Sequence, residues 1–121
     1  MFSISVETSF KAEHQLSLPD GSKEQLHNHD WQVTVEVSRE KLNKTALVMD
    51  FHLLREKVDN ITAGISDMGL EQSDYFSDKN ASAENVAYYI FEKLSDSIGK
   101  DVCLEAVKVV EEPGCRATYR K

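Results

Sequence analysis

Residues 2–14 read FSISVETSFKAEH, and apolar and polar side chains alternate along the whole stretch. The residues that share the more apolar face are Phe2, Ile4, Val6, Thr8, Phe10, Ala12 and His14. This period of two is typical of a β-strand with one face in the core. A second alternating stretch, HNHDWQVTVEVS at residues 27–38, predicts a second strand. Residues 19–22, Pro-Asp-Gly-Ser, are typical of a turn within the loop that joins the two strands.

Two segments in the middle of the chain change to the spacing of three and four that is typical of helices. The apolar positions of the first segment are Phe51, Leu54, Val58, Ile61 and Ile65. Those of the second segment are Val86, Ile90, Phe91, Leu94 and Ile98. We expect Asp50 to cap the first helix and Asn80 or Ser82 to cap the second. Gly99 is expected to end the second helix, and the polar residues 66–81 predict a loop between the two.

The C-terminal part of the chain predicts two more strands, at residues 102–111 and 115–120, with a tight turn at Pro113 and Gly114. The predicted element order is therefore ββααββ, within a single domain that spans residues 1–121. Strand pairs at both ends of the chain favour a four-stranded antiparallel sheet with both helices on one face. This is an α+β architecture.

The composition argues against several classes of protein. The 121 residues carry 14 Lys and Arg against 21 Asp and Glu, a formal net charge of −7. Proteins that bind nucleic acids neutralise phosphates with basic residues, so this balance argues against that function. No apolar run approaches the length that crosses a membrane, and the N-terminus lacks the features of a secretion signal. We expect a cytoplasmic protein in which Cys103 and Cys115 are free thiols with small apolar roles within their strands.

Three of the four histidines lie on the apolar faces of the first two predicted strands. His27 and His29 are two residues apart, so both rings project from the same side of a strand. His14 ends the apolar face of the preceding strand, and antiparallel pairing would bring all three imidazoles to one end of the sheet. Three imidazoles suit Zn²⁺ and leave a fourth position open, although iron, nickel or copper would also fit. The alternative is that the three histidines are hydrogen-bonded core residues.

Five motifs follow one another along nearly the whole chain. They are Phe10-Lys-Ala-Glu-His14, His27-Asn28-His29, Val48-Met-Asp50-Phe51, Ala81-Ser82-Ala83-Glu84-Asn85, and Glu111 with Tyr119 eight residues later. In this order they resemble the 6-pyruvoyl-tetrahydropterin synthase family, which includes the 6-carboxy-tetrahydropterin synthases of queuosine biosynthesis. The resemblance implies a tunnelling fold, in which subunits join their sheets into a barrel, usually as trimers stacked into hexamers.

The resemblance further implies a zinc ion bound by His14, His27 and His29. It implies a lyase that acts on the side chain of a dihydropterin such as dihydroneopterin triphosphate, in pterin, folate or queuosine-type biosynthesis. It assigns substrate binding to Glu111, Ser82 and Glu84. A carboxylate such as that of Glu111 can accept two parallel N–H bonds from the pyrimidine edge of a pterin. The residues alone would instead favour a solvent-facing turn position for Glu111.

The chain departs from the family pattern at three places near the chemistry. The loop before His27 lacks the cysteine that usual members use as proton-transfer base, and Glu24 stands three residues before His27. This resembles a branch in which glutamate replaces the cysteine and the side chain is cleaved to give 6-hydroxymethyl-dihydropterin. The usual Asp–His pair between the helices is reduced to Asp67, followed by Met68, and Asn28 replaces the middle glycine of His-Gly-His.

Three functions are therefore compatible with the sequence. The first is a lyase in which Glu24 moves a proton and Asp67 relays protons; the alternative for both residues is a solvated loop position. The second is a pterin-binding paralogue that keeps zinc and Glu111 but has no turnover. The third is a metal-free structural member whose histidines fill the barrel.

Overall fold

The structure, a computed structural model, describes residues 1–121. Its strands are β1 (Phe2–His14), β2 (His27–Arg39), β3 (Cys103–Glu112) and β4 (Cys115–Arg120). Helices α1 (Phe51–Ala63) and α2 (Ala83–Ser95) lie between the two strand pairs, with a short 3-10 helix at Leu70–Gln72. The predicted order ββααββ is confirmed.

The strands form one antiparallel sheet in the order β1-β2-β3-β4. The pairing of β1 with β2 ends with His14 opposite His27. The end of β1 that carries a histidine therefore lies beside the start of β2, which carries two. The turn between β3 and β4 consists of Pro113 and Gly114, and Gly114 has a φ of 86°. Glycine adopts this left-handed conformation without the steric cost of a Cβ atom. The predicted four-stranded antiparallel sheet is confirmed.

Both helices pack against the face of the sheet that carries the histidines. The predicted apolar face of β2 is buried from Trp31 to Val37, whereas His27 and His29 at its start are partly exposed. The helix residues buried against it are Leu54, Val58 and Thr62 of α1 and Val86, Ala87, Ile90, Phe91 and Leu94 of α2. The opposite face carries polar side chains such as Thr34 and Lys108. Neither α1 nor α2 combines the length and the apolar composition that a membrane-crossing helix needs.

The predicted N-caps of both helices are confirmed. The Asp50 side chain accepts hydrogen bonds from two backbone N–H groups of the first turn of α1, and the Ser82 hydroxyl accepts one from the backbone N–H of Asn85. The prediction that α2 continues to Gly99 is wrong, because the helix ends at Ser95. The Ser97 hydroxyl and backbone N–H both bond to the carbonyl of Leu94, so the chain tightens into a turn there.

Three predictions of buried apolar side chains are also wrong. Phe51 is 50% exposed, since it lies in the first turn of α1, before the buried stripe begins at Leu54. Cys103 and Cys115 are both exposed free thiols. A register shift between β2 and β3 places Cys103 opposite Ser38, and Cys115 begins β4 at the end of the hairpin, so neither reaches the core.

Candidate functional site

The antiparallel register brings His14, His27 and His29 together at one end of the sheet. The centroid of the His27 ring lies 4.4 Å from those of the other two rings, which are 5.1 Å apart. One potential ligand atom from each histidine and one from Glu111 all lie within 4.8 Å of one another. We call these four residues the histidine cluster. Groups this close can share a single cation.

Two of the histidines are oriented by backbone carbonyls. The Nδ1 atom of His14 lies 2.9 Å from the carbonyl oxygen of Ala81, and Nδ1 of His27 lies 2.9 Å from that of Gln25. A carbonyl only accepts, so Nδ1 carries the proton and a neutral ring keeps a free electron pair on Nε2. Metal-bound histidines characteristically donate a hydrogen bond from the N–H of their second ring nitrogen in this way.

The Nε2 atoms of His14 and His29 are buried and have no hydrogen-bond partner. Buried polar atoms in proteins almost always have a partner, and these two unpartnered nitrogens lie close enough to share one cation. Burial is the largest cause that lowers the pKa of His29 below its ordinary value, and the charge of His27 is the second. The lowered pKa keeps this imidazole neutral, which is the form that binds a metal. The donor set therefore fits a metal such as zinc.

The floor of the histidine cluster is an aromatic ring. Trp31 is fully buried, and its indole N–H donates to the carbonyl of Ala12 at 3.2 Å. The rings of His14 and His29 meet the Trp31 ring edge-on, with centroids 5.1 and 5.9 Å away. Packing against this fixed ring restricts the rotation of both imidazoles.

Glu111 belongs to the histidine cluster rather than to the solvent-facing turn that the residues alone favoured. Its Oε1 atom lies 2.7 Å from Nε2 of His14 and 4.0 Å from Nε2 of His29. Its side chain is 23% exposed, so it also faces solvent on one side. These contacts with the histidines were not predicted from the sequence. They follow from the pairing of β2 with β3. Gln32 lies opposite Val110, so Glu111 lies beside Trp31, at the end of β2 that carries the histidines.

Glu24 lies on the other side of the histidines. Its Oε1 atom is 3.8 Å from Nε2 of His27 and accepts a hydrogen bond from the backbone N–H of Leu16 at 3.3 Å. The backbone N–H of Glu24 in turn donates to the carbonyl of Leu16 at 2.9 Å. These two bonds hold the loop before β2 against the residues that follow β1. The Glu24 carboxylate is thereby held beside the cluster.

An open pocket of about 430 Å³ lies at this end of the sheet. The residues that line it are Leu16, Glu24, His27, His29, Glu111 and Glu112. Its volume is within the range of sites for small molecules. It brings together two of the predicted metal ligands, the predicted catalytic Glu24 and the predicted substrate-binding Glu111.

Three other predicted site residues lie elsewhere in this chain. Asp67, with a φ of 58°, lines a separate cavity of about 360 Å³, and its backbone N–H donates to the carbonyl of Lys11. Ser82 uses its hydroxyl to cap α2, and Glu84 is exposed in the first turn of that helix. None of the three lines the pocket beside the histidine cluster. Their predicted roles stay predictions.

Comparison with known proteins gives a consistent result. The sequence profile described as 6-pyruvoyl tetrahydropterin synthase matches residues 3–121. A 6-carboxy-5,6,7,8-tetrahydropterin synthase from Synechocystis sp. is 31% identical over 123 aligned positions, which cover 98% of this chain and 93% of that protein.

Two solved structures have the same fold. The 6-pyruvoyl tetrahydropterin synthase of Caenorhabditis elegans superposes with a TM-score of 0.88 at 22% identity, over 99% of this chain and 95% of that one. A Plasmodium vivax 6-pyruvoyltetrahydropterin synthase in which a catalytic glutamate is replaced by alanine superposes with a TM-score of 0.79 at 20% identity, over 99% and 97% of the two chains. At these identities the likeness establishes the fold.

Proposed function

Because this chain belongs to the 6-pyruvoyl tetrahydropterin synthase family, we propose that it is a zinc-dependent lyase acting on the side chain of a dihydropterin. Dihydroneopterin triphosphate is the first substrate to test, and the reaction would serve pterin, folate or queuosine-type biosynthesis in the cytoplasm. The observation that carries the proposal is the histidine cluster, whose potential ligand atoms lie within 4.8 Å of one another beside an open pocket. The similarity to a 6-carboxy-5,6,7,8-tetrahydropterin synthase supports a pterin as substrate.

The metal would be held by His14, His27 and His29. Their carbonyl partners and the Trp31 ring hold the imidazoles in place before any ion binds. Once bound, zinc supplies Lewis-acid polarisation of the side-chain oxygens of the pterin and stabilises the negative charge that develops there. A histidine set that is held in place in advance loses less side-chain entropy on binding the ion.

Glu24 is the proposed proton-transfer group. Its carboxylate lies 3.8 Å from His27, at the edge of the pocket, and the Leu16 N–H holds one of its oxygens. From this position it can accept a proton from a side-chain hydroxyl or carbon and return it to the product. The catalytic glutamate of the Plasmodium vivax relative supports this role for a glutamate.

Glu24 in place of cysteine favours a second candidate reaction, cleavage of the side chain to 6-hydroxymethyl-dihydropterin. Removal of a side-chain hydroxyl proton by the carboxylate would start a retro-aldol cleavage of the adjacent carbon–carbon bond. The outer part of the side chain would leave as an aldehyde, and the carbon that stays on the pterin would take the bonding electron pair and receive the proton back. The same pocket and metal ligands serve both reactions. Only the product distinguishes them.

Glu111 is the proposed anchor for the pterin ring, since its carboxylate is on the pocket wall and can accept two parallel N–H bonds. Ser82, Glu84 and Asp67 are proposed to complete substrate binding and proton relay. They do not line this pocket within one chain, so this part of the proposal requires that a neighbouring subunit presents them.

A homo-oligomer, a trimer or a hexamer, is the proposed assembly. β4 is an edge strand, and most of its residues are exposed. β1 is the other edge strand. Backbone groups of residues 67–69 cover it only near the end that carries His14. Soluble proteins cover or pair such open edges, and closure into a ring would do so here.

The test of the proposed function is to incubate the zinc-loaded protein with dihydroneopterin triphosphate and to identify the products by mass spectrometry. A 6-pyruvoyl, 6-carboxy or 6-hydroxymethyl pterin that disappears with His29→Ala supports the lyase. If the protein binds pterin but yields no product from any dihydroneopterin, the pterin-binding paralogue is the correct alternative. The metal-free structural member is correct if the protein binds neither zinc nor pterin.

A further inference from the structure

The contact between His14 and Glu111 pairs two hydrogen-bond acceptors. The proton of the His14 ring is on Nδ1, which donates to the carbonyl of Ala81. The Nε2 atom that faces Oε1 of Glu111 at 2.7 Å therefore presents an electron pair to a carboxylate oxygen. Two acceptors at this distance repel each other unless a cation lies between them.

A proton would satisfy only part of the arrangement. If it bridged His14 and Glu111, the Nε2 atom of His29 would remain buried without a partner, 4.0 Å from the same carboxylate oxygen. A single metal ion satisfies both nitrogens and the oxygen together. His27, whose Nε2 is also left free by its bond to Gln25, completes the set.

The distances agree with a four-ligand site. At bond lengths of 2.0–2.1 Å, the ligand atoms of a tetrahedral zinc site are about 3.3 Å apart. The Glu111 oxygen is 2.7 Å from one imidazole nitrogen and 4.0 Å from another, so the observed distances lie on either side of that value. We propose that Glu111 is a fourth metal ligand while the pocket holds no pterin, and that it leaves the metal when a pterin binds.

The second half of this inference rests on the proposed function. A carboxylate that binds the metal with one oxygen cannot also accept two parallel N–H bonds from a pterin edge. Glu111 is partly exposed on the pocket wall, so its side chain has room to change partner. Substrate binding would then open the fourth metal position, and the site would be closed to other ligands until the pterin arrives.

The experiment measures metal binding rather than turnover. Zinc affinity is measured by competition with a chromophoric chelator for the parent chain, Glu111→Gln and Glu112→Gln. Glu112→Gln is the matched control. Glu112 lines the same pocket but is not part of the histidine cluster, and the substitution removes the same charge. The visible absorption of the cobalt-substituted proteins, which is sensitive to the ligand set, is recorded with and without added pterin.

We expect Glu111→Gln to weaken zinc binding by at least about 10-fold and to change the cobalt spectrum, whereas Glu112→Gln changes neither appreciably. Pterin should shift the spectrum of the parent towards that of Glu111→Gln. If Glu111→Gln does not fold, Glu111→Asp, which shortens the reach by one methylene, must show the same loss.

Equal zinc affinities and identical cobalt spectra for the parent and Glu111→Gln would overturn the inference, while pterin binding and turnover could still support the proposed function. If the spectra identify Glu111 as a ligand but no pterin binds, the ligand assignment holds and the proposed function fails. A spectrum of the parent that does not change when pterin binds would overturn the exchange of partners.

Discussion

Two glutamates flank the three clustered histidines and have different proposed roles. Glu24 is held by Leu16 on the side of His27, and Glu111 lies against His14 and His29. A residue that moves a proton acts only during the reaction, so its loss should affect turnover. A residue that holds the pterin ring acts equally before and during the reaction, so its loss should affect binding.

Glu24→Gln is therefore expected to lower turnover by roughly 10²- to 10⁴-fold and to leave pterin affinity nearly unchanged. Glutamine has the same size but cannot take up a proton at neutral pH. Turnover is measured from the product by mass spectrometry, and affinity by calorimetry with zinc-saturated protein. If Glu24→Gln keeps the turnover of the parent, glutamate does not replace the family's cysteine as the base.

Glu111→Gln, compared at saturating zinc, should weaken pterin binding by roughly 10- to 150-fold, because a charged hydrogen-bond partner contributes about 1.5–3 kcal/mol. Glu112→Gln removes the same charge from the same pocket and provides the control. Equal pterin affinities for the two variants would contradict the role of Glu111 as the ring anchor.

At the scale of elements, strands and caps position the site. The register of β1 and β2 sets His14 opposite His27, and the Ser82 cap begins α2 directly after Ala81, whose carbonyl orients His14. The start of a helix is thus connected to a predicted metal ligand. A change at the cap should therefore affect both stability and the orientation of the His14 ring.

Ser82→Ala should reduce the free energy of unfolding by about 1 kcal/mol, because the Asn85 N–H loses its acceptor. Ser82→Thr keeps an acceptor and should restore most of that stability. Chemical denaturation of the metal-free proteins measures both. If Ser82→Ala is as stable as the parent, the hydroxyl does not stabilise the helix start.

Local patterns in the sequence predicted most of the elements and the clustering of the three histidines. The period of two placed the three histidines on one face, and Asp50 and Ser82 were recognisable as caps. The exposed position of Cys103 depends on a register shift between β2 and β3, and the contact of Glu111 with His14 depends on that same pairing. Such pairings join residues far apart in the chain, so local patterns do not reveal them.

At the scale of the whole molecule, the open edge at β4 determines the expected assembly. A four-stranded sheet with an exposed edge strand offers unpaired backbone groups to another copy of the chain. We therefore expect the mass of a trimer or hexamer by light scattering at micromolar concentration. A monomeric mass under those conditions would contradict the ring, and with it the contribution of Ser82, Glu84 and Asp67 from a neighbouring subunit.

The proposed binding of a metal by His14, His27 and His29 can be tested by measuring the metal content of the protein. We expect the purified protein to contain about one zinc ion per chain by elemental analysis. His29→Ala should lose most of it. His52→Ala, which removes the remaining histidine from α1, outside the cluster, should keep it. Absence of metal in the native protein, together with no uptake on dialysis against zinc, would contradict a metal site at these histidines.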